Sequence, residues 1–200
     1  MISINVYGDE SLDVCLKLET MKFNKEELIQ DLAEQTRINL NKAEHLLTHS
    51  LSDLNNRPGE GKWSALESIE HLNLYGEYYI AEIKERLKHA KVETESVFKS
   101  GVLGNYFAEL IKPKAKINTM KTQEPMNPMG SALDASAVEK FIRQQKQILE
   151  LLNASREVSL KKTKTSVSIS KLIKLRLGDT LRFVVYHNNR HVLQAQNALA

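Results

Sequence analysis

The run Tyr186-His187-Asn188-Asn189-Arg190-His191-Val192-Leu193-Gln194 carries two histidines four residues apart within the last apolar stretch of the chain. Residues four apart on a helix are neighbours on one face, so both imidazoles can contact a single metal ion. The spacing of the surrounding apolar residues predicts a helix over 179–200 with Asp179 as its N-cap. On that helix the two histidines lie at the edge of the apolar arc and border the buried face, where side chains can line a cleft.

Two protein ligands rarely make a stable metal site, so a third ligand has to come from elsewhere in the chain. His71 is the best candidate, because it also borders the apolar arc of a predicted helix. Three histidines from two helices leave coordination positions open for water or a substrate, as in a reactive metal site. We therefore expect His71, His187 and His191 to bind a divalent metal ion, with zinc or nickel suited to imidazole ligands.

A second pair of histidines, His45 and His49, has the same four-residue spacing and serves as an internal control. On the predicted first helix this pair falls far from the apolar stripe, beside the polar residues Asp31, Glu34 and Asn41. Spacing alone is therefore a poor predictor of a metal site. The direction in which the pair faces favours His187 and His191.

Four long helices with a long connection between the second and third predict an all-α protein, a four-helix bundle with a site between its helices. Capping patterns place their starts at Asn24, at Ser64 with Glu67, at Ser136 with Glu139, and at Asp179. The first helix should continue through Leu51 and the second to about Lys88. Residues 91–130 contain one short predicted helix, over 102–111, and are interpreted as a lid or pocket wall. Residues 161–176 are interpreted as a basic, solvated connector with an alternating Ser-Val-Ser-Ile-Ser run.

Several residues near the histidines have more than one interpretation. Glu67 is expected to cap its helix; alternatively, as the candidate catalytic residue, it orients His71 or hydrogen-bonds a bound water. Tyr75 is a second candidate for handling a proton, and Gln194 for orienting a ligand. Trp63 is expected to fill the core at the start of the helix, and Arg190 to form an ion pair on a different side.

Composition narrows the class of protein. Two hundred residues with 42% hydrophobic content suit one domain, predicted over 22–200 after an N-terminal extension, 1–21. A net charge of +3 is too small to indicate nucleic-acid or membrane partners. The single cysteine, Cys15, and the lack of an apolar run of transmembrane length lead us to expect a soluble, cytoplasmic protein.

Two blocks of sequence carry a resemblance to the DinB-like superfamily of metal-binding four-helix bundles, which includes the YfiT-like proteins. One block runs from Arg57 through Trp63-Ser64 and Glu67 to His71-Leu72, and the other from Leu177 through His187 and Arg190-His191 to Gln194. The resemblance covers about residues 22–200 and places the three metal ligands on His71, His187 and His191. It also implies a range of activities. Some relatives are S-transferases that use bacillithiol, some isomerise maleylpyruvate with mycothiol, and many are described as metal-dependent hydrolases without a known substrate.

The residues permit three functions, which differ in how well the sequence supports them. The first and preferred one is a metal-dependent enzyme that transfers a low-molecular-weight thiol to a small electrophilic substrate, or hydrolyses that substrate, with the metal ion as Lewis acid. The second is a non-catalytic metal-binding or stress-response bundle. The third is a nucleic-acid-binding protein that uses the basic connector. Exposed faces of the bundle are compatible with a homodimer.

Overall fold

The structure is a computed structural model, and it describes residues 19–93, 95–113 and 122–200. Four long helices make up most of the fold. These helices are α1 (Lys25–Leu46), α3 (Ala65–Lys88), α5 (Ala135–Ala154) and α6 (Leu177–Asn197), and α1 and α3 each pack on both α5 and α6. Two shorter helices are α2 (Leu51–Asn55) and α4 (Val102–Ile111), and two 3₁₀ turns are Glu124–Met126 and Ser155–Glu157. The described part of the chain is therefore mostly helical.

The prediction of an all-α protein was too simple, because two small antiparallel sheets complete the fold. β1 (Lys22–Asn24) pairs with β2 (Val97–Lys99), and β3 (Lys164–Val167) pairs with β4 (Ser170–Arg176). The second pair lies within the basic connector predicted over 161–176, whose lysines are exposed to solvent as predicted. The alternating Ser-Val-Ser-Ile-Ser run, residues 166–170, spans the end of β3, the turn and the first residue of β4, and alternation of this kind is typical of strands.

Two of the four predicted helix starts are correct. The side chain of Asn24 accepts hydrogen bonds from the backbone at the start of α1, and Ser64 forms a full capping box with Glu67 at the start of α3. The third prediction was wrong, because Asp134 caps α5 by accepting from the backbone N–H of Ser136. The fourth was also wrong, because Asp179 lies buried inside the first turn of α6, where it has partners on another element.

The first helix ends five residues earlier than predicted. α1 stops at Leu46, where the Thr48 hydroxyl donates to the carbonyl of His45. Ser50 then caps the short helix α2 by accepting from the backbone N–H of Asp53. Two residues expected on the apolar stripe, Leu47 and Leu51, are consequently exposed. Local side-chain hydrogen bonds from Ser and Thr compete with continued helix, which explains the break.

A belt of buried amides crosses the helices between two apolar clusters of the core. Asn39 on α1 donates to Asn189 on α6, and Asn188 on α6 donates to Gln145 on α5. Gln144 donates to the backbone carbonyl of residue 73 on α3, alongside a glycine at position 76 that leaves room for its side chain. Buried amides need partners with suitable geometry, so this belt favours one register of the four helices.

Helix α4 is held on α6 by a fully buried arginine. Arg182 donates to Asn105 and Glu109 on α4 and contacts Asp179 on its own helix. Asp179 in turn accepts from the backbone N–H of Gly101, at the start of α4. Burial raises the pKa of Asp179, while these hydrogen bonds and charges act in the opposite direction. The cluster fixes the position of α4 beside the long helices.

The β3–β4 hairpin is held on α3. The Tyr78 hydroxyl donates to the carbonyl of Val167, the Ser168 N–H donates to the Tyr79 hydroxyl, and the Ser166 N–H donates to Glu82. These bonds lie at the carboxyl-terminal half of α3. The hairpin and α4 therefore both pack near the same end of the helices.

Residues 1–18 lie outside the described part of the chain, so most of the predicted extension and Cys15 are not located. No described helix combines the length and the hydropathy that crossing a bilayer requires. The division into an extension and one domain stays a prediction.

Candidate metal centre

Three buried histidines from two helices meet at one point. His71 comes from α3, and His187 and His191 come from α6; one ring nitrogen of each lies within 4.8 Å of the others. The ring centroids are 4.5 Å apart for His71 and His191, 5.1 Å for His71 and His187, and 4.7 Å for His187 and His191. The structure thus brings together the three residues that the sequence singled out.

Two of these imidazoles have a hydrogen-bond partner that orients the ring. His71 Nδ1 lies 2.7 Å from the carbonyl oxygen of Met126, which can only accept, so Nδ1 carries the proton and Nε2 presents its lone pair. His191 Nδ1 lies 2.9 Å from Oε1 of Gln194, one turn further along α6. Such outer partners set the tautomer of a metal-ligating histidine and strengthen it as a ligand. Gln194 therefore orients a histidine directly.

Burial keeps all three imidazoles neutral. Loss of solvation lowers the pKa of His71 to about 4, with the Met126 carbonyl acting weakly in the opposite direction. The pKa values of His187 and His191 are also lowered well below the usual range by burial, with further lowering from neighbouring histidines and from Arg190. Only a neutral imidazole can ligate a metal ion, so at neutral pH the three rings are ready to do so.

The spacing of the ring nitrogens agrees with a metal site. His71 Nε2 and His187 Nε2 are 3.2 Å apart. Two nitrogens bound at zinc-like distances in a tetrahedral arrangement are about 3.3–3.4 Å apart. The neutral donor set, the oriented tautomers and this distance together fit a divalent ion. No fourth histidine, cysteine or carboxylate joins the group among the residues that the structure describes.

The histidines line a cavity of about 870 Å³, within the usual size range of small-molecule sites. Its walls come from α3, α4, α6, the β3–β4 hairpin and the segment 122–129. The long connection between α3 and α5 therefore contributes walls of this cavity, as the interpretation of residues 91–130 as a pocket wall anticipated. Residues 114–121 of that connection, and residue 94, lie outside the described chain.

Glu67 has a structural role. Its carboxylate accepts from the backbone N–H groups of Ser64 and Gly130 and pairs with Arg57. Burial acts to raise the pKa of Glu67, but the hydrogen bonds outweigh it, so the pKa is lowered. By binding Gly130, Glu67 ties the segment that contains Met126 to the start of α3. The capping prediction is confirmed, and a catalytic role for Glu67 stays a prediction.

Two predictions about neighbouring side chains were wrong. Trp63 is only half-buried, and it lines the cavity with its ring 4.7 Å from that of His71, because the chain turns toward the site before α3 begins. Arg190 is buried and lines the same cavity, so its predicted direction away from the histidines was wrong, while its ion pair stays a prediction. Burial lowers the pKa of Arg190, and a guanidinium nevertheless keeps its charge.

Sequence reasoning missed two other parts of the site. The Met126 carbonyl is a backbone group and has no signal in the sequence. The apolar wall from α4, which includes Phe107 and Leu110, showed only as a short helical pattern. His45 is exposed and His49 is half-buried, and neither belongs to the group of three histidines.

A comparison with family models matches residues 32–195 to the family described as the DinB superfamily. No curated protein and no solved structure matched in the two other comparisons. The family match spans more than half of the chain and includes all three histidines of the candidate metal centre. On this match the chain belongs to the DinB superfamily.

Proposed function

We propose that this protein is a metal-dependent enzyme that transfers a low-molecular-weight thiol to a small electrophilic substrate, or hydrolyses that substrate. One observation carries the proposal: three neutral, buried histidines present ring nitrogens within 4.8 Å of one another in the wall of a cavity of about 870 Å³. A closed structural site would have four protein ligands and no adjoining cavity.

His71, His187 and His191 would hold the ion, with zinc and nickel as the preferred candidates because both accept imidazole ligands. When bound, a divalent ion supplies Lewis acidity, which lowers the pKa of a water or thiol at an open position and polarises an electrophile. Met126 and Gln194 keep two of the rings in the orientation that this requires.

Residues of the cavity near the histidines include a hydrogen-bond donor. Arg190 is buried and lines the cavity beside His191. Tyr75 lies beside the rings of His71 and His187, with its ring centroid 5.0 and 4.6 Å from theirs. Burial and the nearby Tyr79 raise the pKa of Tyr75 to about 12, so its hydroxyl keeps its proton and acts as a donor. This makes Tyr75 unsuited to act as a base at neutral pH.

The nucleophile would come from outside the chain. None of the described residues that line the cavity is a cysteine, and the chain's single cysteine is Cys15. A thiol cosubstrate or water would fill this role.

We also infer that α1, α3, α5 and α6 form the four-helix bundle that the resemblance implies, since α1 and α3 each pack on both α5 and α6.

A thiol-transfer screen tests the proposal. Protein purified without a histidine tag is analysed for metal, and then assayed with several thiols, bacillithiol included, against a panel of electrophiles and simple esters. Turnover should depend on the metal, should fall sharply in His71→Ala, and should be unchanged in Cys15→Ser. A chelator should remove the ion while far-UV circular dichroism shows that the helices persist, because the core is apolar and independent of the ion.

The same screen also has a result that would contradict the enzyme proposal. If the metal-loaded protein shows no rate above a buffer-plus-metal control with any thiol, electrophile or ester, the enzyme proposal fails. One bound ion per chain without turnover would instead support the non-catalytic metal-binding or stress-response bundle.

A further inference from the structure

The cavity continues past the three histidines along the contact between α3 and α6. Stepping by four residues, the pairs across this contact are His71 with His191, Tyr75 with His187, and Tyr79 with Phe183, with ring centroids 4.5, 4.6 and 5.6 Å apart. Four residues of helix advance by about 6 Å. All six residues line the cavity, so it extends roughly 12 Å from the level of His71 to that of Tyr79.

The far end of this cavity is apolar. It is walled by side chains from α4 and the β3–β4 hairpin: Phe107, Leu110, Ile111, Val167, Ile169 and Leu175. The Tyr79 hydroxyl accepts a hydrogen bond from the Ser168 N–H and keeps its own proton to donate, so it is a polar group in an otherwise apolar wall. Both α4 and the hairpin are held in place by hydrogen bonds to the long helices, which makes this wall a built part of the fold.

The charged groups of the cavity lie nearer the histidines. Among the described lining residues they are Lys62, Glu124 and Arg190. Lys62 precedes α3 beside Trp63, Arg190 adjoins His191, and Glu124 is in the 3₁₀ turn whose carbonyl at Met126 contacts His71. The cavity therefore has a polar end at the histidines and an apolar end beyond them.

The apolar side chains at the far end are partly exposed to the cavity, whereas in a packed core they would be covered by other side chains. Phe107 and Leu110 are only half-buried, and Ile169 is 47% exposed. Protein interiors are close-packed, and exposed apolar surface that is concave and adjoins polar groups usually marks a ligand site. Water gains few hydrogen bonds from such a wall, so an apolar ligand group would displace it favourably.

We propose that the substrate carries an uncharged alkyl or aryl group that occupies the apolar end of this cavity while its reacting group lies at the three histidines. The placement of the reacting group rests on the function proposed above. The apolar end selects the substrate class: an electrophile with a tail that reaches about 6–12 Å beyond the metal centre, as opposed to a small, fully polar one.

A series of n-alkyl hydroxamates, from acetohydroxamate to decanohydroxamate, measures this directly with zinc-loaded protein by calorimetry. The hydroxamate group binds at the metal and the alkyl chain extends into the cavity. Affinity should rise about fourfold for each methylene that is buried, until the tail fills the apolar end. Flat affinity along the series would overturn the proposal while leaving the metal function intact.

Two variants and a matched control locate the effect on α4. Leu110→Glu places a charge in the apolar wall and should weaken decanohydroxamate about tenfold or more while acetohydroxamate is unchanged. Leu103→Glu makes the same change at an exposed position of α4 that does not line the cavity, and should leave the whole series unchanged. Leu110→Phe keeps the wall apolar and should end the gain in affinity at a shorter chain, which protects the test if Leu110→Glu misfolds.

A probe without a metal-binding group separates the two proposals. N-phenyl-1-naphthylamine is neutral and becomes fluorescent in apolar surroundings, and it is added to metal-free protein. Binding that Leu110→Glu abolishes and Leu103→Glu preserves supports the apolar end, even if the protein takes up no zinc and the enzyme proposal fails. No binding of this probe overturns the apolar end, as flat affinity along the hydroxamate series does.

Discussion

His45, in the last turn of α1, and His49, in the turn that follows this helix, have the same spacing as His187 and His191 on α6, yet the two pairs have different surroundings. The first pair has ring centroids 5.5 Å apart, on a face where His45 is exposed. The second pair has centroids 4.7 Å apart, and His187 and His191 are only 5% and 8% exposed. A third histidine, His71, closes the second group, and the structure places no third ligand beside the first pair among the described residues.

The difference lies in what each helix face meets. The face of α6 that carries its histidines packs against α3, which presents His71, and the segment 122–130 covers this junction through Met126 and Gly130. His45 is exposed at the end of α1, and His49 is half-buried in the turn after this helix. Two histidines at helical spacing are therefore not enough for a metal site, and a third ligand has to come from a neighbouring element.

The largest effect should come from removing one histidine of the buried group. His187→Ala should reduce the bound divalent metal from about one ion per chain to nearly none, because two ligands hold zinc poorly. The double variant His45→Ala/His49→Ala should keep about one ion, since that pair lacks a third ligand. Elemental analysis after dialysis measures both. Loss of metal in the double variant together with retention in His187→Ala would reverse the assignment of the two pairs.

Acid should destabilise the metal-free protein through the buried group. The pKa of His71 is lowered from 6.5 to about 4 by burial, so below pH 6.5 the unfolded chain binds a proton that the folded chain does not. The contribution of neutral His71 to the free energy of unfolding is fully present above pH 6.5 and is lost as the pH falls toward 4. For His71 alone the loss of stability is roughly 2 kcal/mol by pH 5.

Urea unfolding of the metal-free protein at pH 7 and pH 5 measures this loss. His71→Leu should lose less stability over that interval than the wild type, by about the amount expected for His71, while His45→Ala/His49→Ala should behave like the wild type. An equal loss in His71→Leu and the wild type would show that His71 is not the group responsible.

A smaller effect should follow from the outer partner of His191. Gln194→Leu removes the acceptor of the Nδ1 proton and should weaken metal affinity about 10–100-fold, because a metal-ligating histidine depends on this orientation. Gln196→Leu on the same helix is the matched control, since Gln196 does not line the cavity. Competition with a zinc indicator compares them, and equal affinities would assign Gln194 a purely structural role.

The smallest expected effect is a change in the fluorescence of Trp63. Trp63 is the only tryptophan in the chain, and its ring lies 4.7 Å from His71 and 5.9 Å from His191. Nickel bound at the three histidines should partially quench its fluorescence in the wild type and in His45→Ala/His49→Ala. Quenching that persists in His187→Ala would place the bound nickel elsewhere.

The sequence by itself determined much about this protein, because helix patterns are local. Periodicity and capping located the predicted ends of the four long helices to within five residues, and the direction of the apolar arc distinguished the two histidine pairs. Errors arose where a local pattern had two outcomes: Asp134 and not Ser136 caps α5, and Asp179 joins a buried cluster with Arg182. The family resemblance rested on two blocks of sequence, one around His71 and the other around His187 and His191.

Only the tertiary structure decided how distant segments complete the site. The Met126 carbonyl reaches His71 across 55 positions of sequence, and a backbone group leaves no trace in residue identity. Phe107, Leu110 and the β3–β4 hairpin became walls of one cavity because buried contacts such as that of Arg182 with Glu109 fold them onto α3 and α6. Those contacts join residues far apart in the chain, where periodicity, which relates near neighbours, carries no information.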